Sequence, residues 1–314
     1  MKSKFIHGFI LATSFSFNLA MAAAPMAKTP QAGFQRLMVG AFEVTALSDG
    51  TADLPMDKLL SNITPAEYKK AKADAFLPEV FETSVNGYLI NTGTHLILVD
   101  TGAGHLFGPT TGKLLTSLKN AGYKPEQVDA VLTTHMHADH VGGLMVDGKM
   151  AFPNANIYAD QAESDYWLSE ENLAKAAEAN KSFFQSAMAS LSAYKKAGKL
   201  IAIPTDYKIV PGITAKSTFG HTKGHTSYMV ESNGVKLMLI GDLVHMAAVQ
   251  LGKPTVAIAF DTDSKAAVAK RIEIFTEAAK NGYMIGVSHF SFPGLGHLQA
   301  NKKVFTFVPI NYAR

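Results

Sequence analysis

Thr134-His135-Met136-His137-Ala138-Asp139-His140 is the stretch whose reading decides the fold. It leaves a short apolar run at residues 128–132 that reads as a buried strand. In an extended segment alternate residues share a face, so His135 and His137 can grip one metal ion from the same side. A turn into helix near Asp139 would swing Asp139 and His140 toward a second ion. Imidazole nitrogen and carboxylate oxygen suit Zn²⁺ foremost, and also Mn²⁺, Co²⁺ or Fe²⁺.

Three further places would complete two sites. They are Gly220-His221-Thr222-Lys223-Gly224-His225, Gly241-Asp242 and Ser288-His289. Each lies where an apolar strand opens into a loop, the usual position of active sites on layered α/β folds. Eight of the eleven histidines follow residue 134, which argues against a chance run of loop histidines. The chain has no cysteine, so a metal site must use His, Asp or Glu, and no thiolate nucleophile is available.

Outward from these clusters, strands and helices interleave. Residues 36–46, 85–91, 95–99, 156–158, 213–217, 226–230, 235–240 and 284–287 read as strands. Helical spacing marks residues 111–121 and 264–280, and residues 162–194 form a mainly helical excursion. The pattern predicts two mixed β-sheets back to back with helices outside, an αββα sandwich of the α/β class. Apolar content of 47% in 314 residues supports a large core, so disulfides are not needed.

The N-terminus reads as a secretory signal. Lys2 and Lys4 precede a mostly apolar run, and Ala20-Met21-Ala22 offers a cleavage site. The expected organisation is a signal peptide at 1–22, a flexible Ala- and Pro-rich lead-in at 23–35, and one hydrolase domain at 36–314. The mature protein would be periplasmic or secreted and would not span a membrane. The net charge of the full chain, +3, includes the two lysines of the leader. A nearly neutral remainder without basic blocks argues against nucleic-acid partners.

His-x-His-x-Asp-His at residues 135–140 is similar to the signature of the metallo-β-lactamase superfamily. That resemblance implies one ion on His135, His137 and His221, a second on Asp139, His140 and His289, and Asp242 as a bridge. It makes the first histidine of Gly220–His225 the ligand, with His225 and Asp100 behind the ligands as supports. The closer resemblance, from about residue 36 to the C-terminus, is to the methyl parathion hydrolase and dihydrocoumarin hydrolase family. It rests on Leu106-Phe107-Gly108-Pro109-Thr110, Ala187-Met188-Ala189-Ser190-Leu191 and Ser291-Phe292-Pro293-Gly294-Leu295-Gly296-His297. It implies a homodimer, a leaving-group pocket lined by Phe107, Trp167 and Phe184, and substrate contacts from Leu59, His245, Ile258 and Phe260. Asp139, Asp242 and His245 would be the catalytic groups, with a bridging hydroxide as nucleophile.

The expected activity is opening of lactones or cleavage of aryl esters, with side activity on phosphotriesters. A phosphotriesterase or a homoserine-lactone hydrolase is the alternative. Cysteine-ligated β-lactamase subclasses are excluded, and flavo-diiron relatives would carry Glu where His137 stands. A non-enzymatic binding module would be signalled by a missing ligand, and all seven are present.

Overall fold

In a computed structural model, residue 24 and residues 26–312 are described. The expected leader lies outside the described residues. Fourteen strands of two sheets follow the chain in order. The first sheet runs β1 (Phe34–Val39), β2 (Phe42–Asp53), β3 (Glu82–Asn91), β4 (Leu96–Val99), β5 (Ala130–Leu132), β6 (Asn156–Asp160) and β7 (Leu200–Ile203). The second runs β8 (Lys208–Val210), β9 (Ile213–Ser217), β10 (Thr226–Ser232), β11 (Val235–Leu239), β12 (Met284–Gly286), β13 (Leu295–Asn301) and β14 (Val304–Pro309). Both sheets are mixed: β4 to β7 are mutually parallel, β11 pairs parallel with β12, and the remaining pairs are antiparallel.

The layering follows from strands that are apolar on both faces. In β4, Leu96 and Leu98 pack outward with Leu114, Leu118 and Leu191, under the helices Leu114–Asn120 and Lys181–Lys196. Ile97 and Val99 point the other way, toward Tyr228, Val230 and Leu237 of the second sheet. In β11 the alternation repeats. Leu237 and Leu239 face the first sheet, and Met238 packs with Ile274, Phe275 and Ala278 of the helix Ser264–Asn281. Each buried Leu or Ile contributes about 1.5–3 kcal/mol, and burying both faces of a strand requires a layer on either side. The result is helix, sheet, sheet, helix.

Several elements differ from the sequence reading, which does not anticipate the strands β7 and β8. The strand expected at 36–46 is a hairpin that turns at Gly40, where φ is +59° and a Cβ would strike the Ser232 carbonyl. Its first strand starts at Phe34, inside the expected lead-in, because Phe34 packs against the core and Gly33 O accepts Ser48 N–H. The compact unit begins at Ala32. The β13–β14 hairpin was not anticipated.

For the site, the parallel pairs matter most. β4 and β5 end side by side, as do β11 and β12. Beyond them lie Asp100, the 135–140 cluster, Asp242 and His289. Both sheets therefore deliver their polar loops from the carboxyl ends of parallel strands.

Candidate metal centre

His135, His137, His221 and Asp242 form one donor group and Asp139, His140 and His289 form another, with Asp242, His245 and His289 a third that overlaps them. Within each group one ligand atom per residue lies within 4.8 Å of the others. Asp242 reaches both. Its Oδ2 is 3.3 Å from His221 Nε2, 3.7 Å from His135 Nε2 and 3.1 Å from His289 Nε2, and its Oδ1 is 3.2 Å from His140 Nε2. His137 Nδ1 and His221 Nε2 face each other at 3.2 Å.

The donor set fits a pair of divalent cations. His135 Nε2, His140 Nε2 and Asp242 Oδ1 are buried and lack hydrogen-bond partners. Such atoms cost about 1–3 kcal/mol each when left unpaired, and converging lone pairs are what a cation satisfies. Burial holds His135 and His137 well below the usual imidazole pKa, which leaves both neutral, the form a cation needs. Burial would also lower His140, but the carboxylates of Asp242, Asp139 and Asp100 outweigh it and raise this residue. Burial pushes Asp242 up, but His140, His289 and His135 override that and keep it ionised.

Outer contacts aim the rings. His140 Nδ1 is 2.8 Å from Asp100 Oδ2, and the same carboxylate takes the N–H and hydroxyl of Thr134. His289 Nδ1 donates to Ser84 O at 2.9 Å. Each contact engages Nδ1 and so turns Nε2 toward the centre. His225 is different. Its Nε2 accepts the Asp242 backbone N–H at 3.0 Å, and its Nδ1 meets Thr218 Oγ1 at 2.9 Å. Both nitrogens are used, so His225 supports the Asp242 backbone and is not a donor to the centre.

Sequence reasoning missed two carboxylates. Asp261 Oδ1 lies 3.0 Å from His221 Nδ1, and its Oδ2 accepts Ile258 N–H. Its only signal was an acid two residues before the helix cap Asp263, which capping chemistry alone would explain. Glu163, in the first turn of the helix Gln161–Trp167, was also overlooked.

A cavity of about 260 Å³ opens over the centre. Its wall includes His137, Asp139, Asp242, His245 and His289 on the polar side, and Leu106, Phe107, Phe183 and Phe260 on the apolar side. Of the residues expected to touch substrate, Phe107, His245 and Phe260 are on this wall. Trp167 and Phe184 are instead buried in the core, 3% and 2% exposed, packed against each other with ring centroids 4.7 Å apart and planes inclined at 55°. Phe183 occupies the wall, 4.9 Å from the His137 ring and 6.4 Å from Phe260. Ile258 is buried with Met56, Leu60, Met246 and Val256. Leu59 packs on that same cluster, and its carbonyl accepts Ala259 N–H. These four positions shape the wall from behind because helix phase and strand pairing turn them inward. His245 is fully buried, stacks on His289 at 5.1 Å, and has Nε2 3.1 Å from Asp242 Oδ2. Burial lowers its pKa to about 4, so it stays neutral.

The sequence pattern of the Metallo-beta-lactamase superfamily matches residues 80–277. An N-acyl homoserine lactonase of Bacillus cereus is 31% identical over 172 residues, which is 49% of this chain and 60% of that protein. Another, from Bacillus sp, is 29% identical over 173 residues. The chain thus spans about 60% of the length of these relatives. Among solved structures, the hydrolase AbOPH of the beta lactamase superfamily superposes with a TM-score of 0.87 at 33% identity, covering 91% of this chain and 100% of that one. AidC, a dizinc quorum-quenching lactonase in complex with a product N-hexanoyl-L-homoserine, superposes at 0.83 with 27% identity, covering 90% and 99%.

Proposed function

Because this chain belongs to the metallo-beta-lactamase superfamily, we propose that it is an exported, homodimeric hydrolase that uses two zinc ions to open lactones and cleave aryl esters. The observation that carries the reading is the pair of donor groups, joined by Asp242, beneath a cavity with one aromatic wall. Lactone opening is the side of this chemistry that the lactonase relatives support. Zinc agrees with the His and Asp donors and with the dizinc character of AidC.

When bound, two divalent ions supply a hydroxide nucleophile at neutral pH and polarise the carbonyl oxygen. The chain's own residues do the rest. His135, His137 and His221 would hold one ion, Asp139, His140 and His289 the other, and Asp242 would keep the two in register. Asp139 and Asp242 border the cavity, where a carboxylate accepts a hydrogen bond from the attacking water and fixes its direction. His245 faces the same space as a neutral imidazole. Its N–H donates to the oxygen on which negative charge develops as the ring opens. Phe107, Phe183 and Phe260 exclude water and hold a flat or apolar substrate body.

Kinetics on N-acyl homoserine lactones, dihydrocoumarin, aryl acetates, a paraoxon-type phosphotriester and a cephalosporin test this reading. The best lactone should exceed the phosphotriester in kcat/KM by about tenfold or more, since small differences in pocket shape are worth about 1–3 kcal/mol. His245→Ala should lower lactone kcat on the order of 10²-fold, with a smaller effect on KM. A phosphotriester turned over faster than every lactone would favour the alternative. N-terminal sequencing of the periplasmic protein should begin near Ala23, and an intact N-terminus in the cytoplasm would refute export.

A further inference from the structure

Glu163 belongs to no donor group, yet its buried carboxylate touches the backbone of both histidine loops. Its Oε1 accepts Met136 N–H at 2.8 Å, from the residue between His135 and His137. Its Oε2 accepts Gly224 N–H at 2.8 Å, from the loop that carries His221 and His225. Glu163 is 1% exposed. It stands at the third position of its helix, where an acid ordinarily reaches back to the cap residue. Here the cap Asp160 serves Ala162 N–H with its own side chain, and the Glu163 carboxylate points away to the two loops. Gly224 is built for this approach, since a Cβ there would lie 2.5 Å from Glu163 N and 2.7 Å from Glu163 Cβ.

We propose that Glu163 is a positioning residue, a clamp that sets the distance between the two loops supplying His135, His137 and His221 before any ion arrives. The idea rests on the two-metal reading of the centre but not on the substrate assigned to it. Its chemistry is that of a fork. One carboxylate presents two acceptors to two backbone donors in loops of different sheets, one following β5 and the other preceding β10. A side chain with one acceptor could hold only one loop. Asp100 and Asp261 each orient a single imidazole, whereas Glu163 fixes the spacing of three. The second donor group, Asp139, His140 and His289, has no bond to it among the described residues.

The clamp is tested by metal binding to metal-free protein, with zinc titrated against a competing chelator and no substrate present. Glu163→Gln keeps the volume but turns an amide NH₂ toward one backbone donor. It should weaken one of the two zinc-binding steps by about 10- to 100-fold and leave the other within about threefold. Gly224→Ala, which pushes the same loop away from the opposite side, should give the same selective loss. In the wild type, the Met136 and Gly224 amides should stay protected from hydrogen exchange after the metal is removed. Equal weakening of both steps would overturn the proposal. So would a fall in melting temperature with both steps unchanged, or rapid exchange of those two amides in metal-free wild type. The last measurement needs no variant, so a poorly folding substitution does not remove the test. A chain inactive on lactones would leave the clamp standing, and a failed clamp would leave the substrate assignment untouched.

Discussion

His221 and His225 are four residues apart in one loop, yet the structure gives them opposite tasks. Asp242 N–H points at His225 Nε2, so the ring proton sits on Nδ1, toward Thr218, and no lone pair is left for a cation. His221 directs Nδ1 at Asp261 and keeps Nε2 beside His137 and Asp242. His221→Ala should therefore bring the metal content from near two equivalents toward one. His225→Ala should retain both ions with affinity reduced by about tenfold, the usual cost of losing an outer support. Elemental analysis after gel filtration decides between them, and a greater loss from His225→Ala would reverse the assignment. The His-x-His-x-Asp-His run was legible because four donors in six residues have little use in a core. Asp261 was not, because nothing local distinguishes it from its neighbour Asp263, which caps a helix.

At the scale of elements, the segment from residue 100 to 113 carries Leu106 and Phe107 to the cavity but has no regular structure of its own. Asp49 anchors it. Its carboxylate, at the bulge of β2 where the register with β3 shifts, accepts N–H groups from Ala103, Gly112 and Leu114. Burial raises its pKa, and those three bonds pull the other way. Asp49→Ala would strand three inner donors, each worth about 1–3 kcal/mol when unpaired. Denaturation should show a loss of at least about 2 kcal/mol, and lactone KM should rise as Phe107 loses its fixed position. An unchanged KM would mean that the segment is held by other contacts. The strands of the first sheet were largely legible, since apolar runs such as residues 96–99 have no other use. The β13–β14 hairpin was not, because Gly296, His297, Gln299 and Asn301 interrupt the pattern. They are tolerated where β13 runs between β12 and the edge strand β14.

For the whole molecule, the centre acts as a fastener. His135 to His140 come from the first sheet, and His221, Asp242 and His289 come from loops of the second. Bound ions would therefore tie together two layers that otherwise meet through apolar side chains. Ion binding stabilises the folded state by mass action, about 2.7 kcal/mol for one site at a hundredfold excess over its Kd. At roughly 2–4 °C per kcal/mol for a domain of this size, removal of metal by a chelator should lower Tm by about 5 °C or more. Two equivalents of zinc should restore it. A Tm indifferent to chelation would show that the sheets do not depend on the centre.

What the sequence determined alone was the class of the fold and the chemistry of the donors. Strands apolar at every position demand two covered faces, and histidines clustered beyond strand ends demand an ion. Which side chains face the cavity was decided only by tertiary structure. Phe183 and Phe184 are neighbours on one helix, about 100° apart around its axis. Packing of Phe184 against Trp167 sets the helix phase and leaves Phe183 toward His137. That phase depends on partners distant in sequence, as does the reach of Glu163 and Asp261 to loops they do not adjoin. Local pattern records which residue types are available, and long-range packing selects the direction each one points.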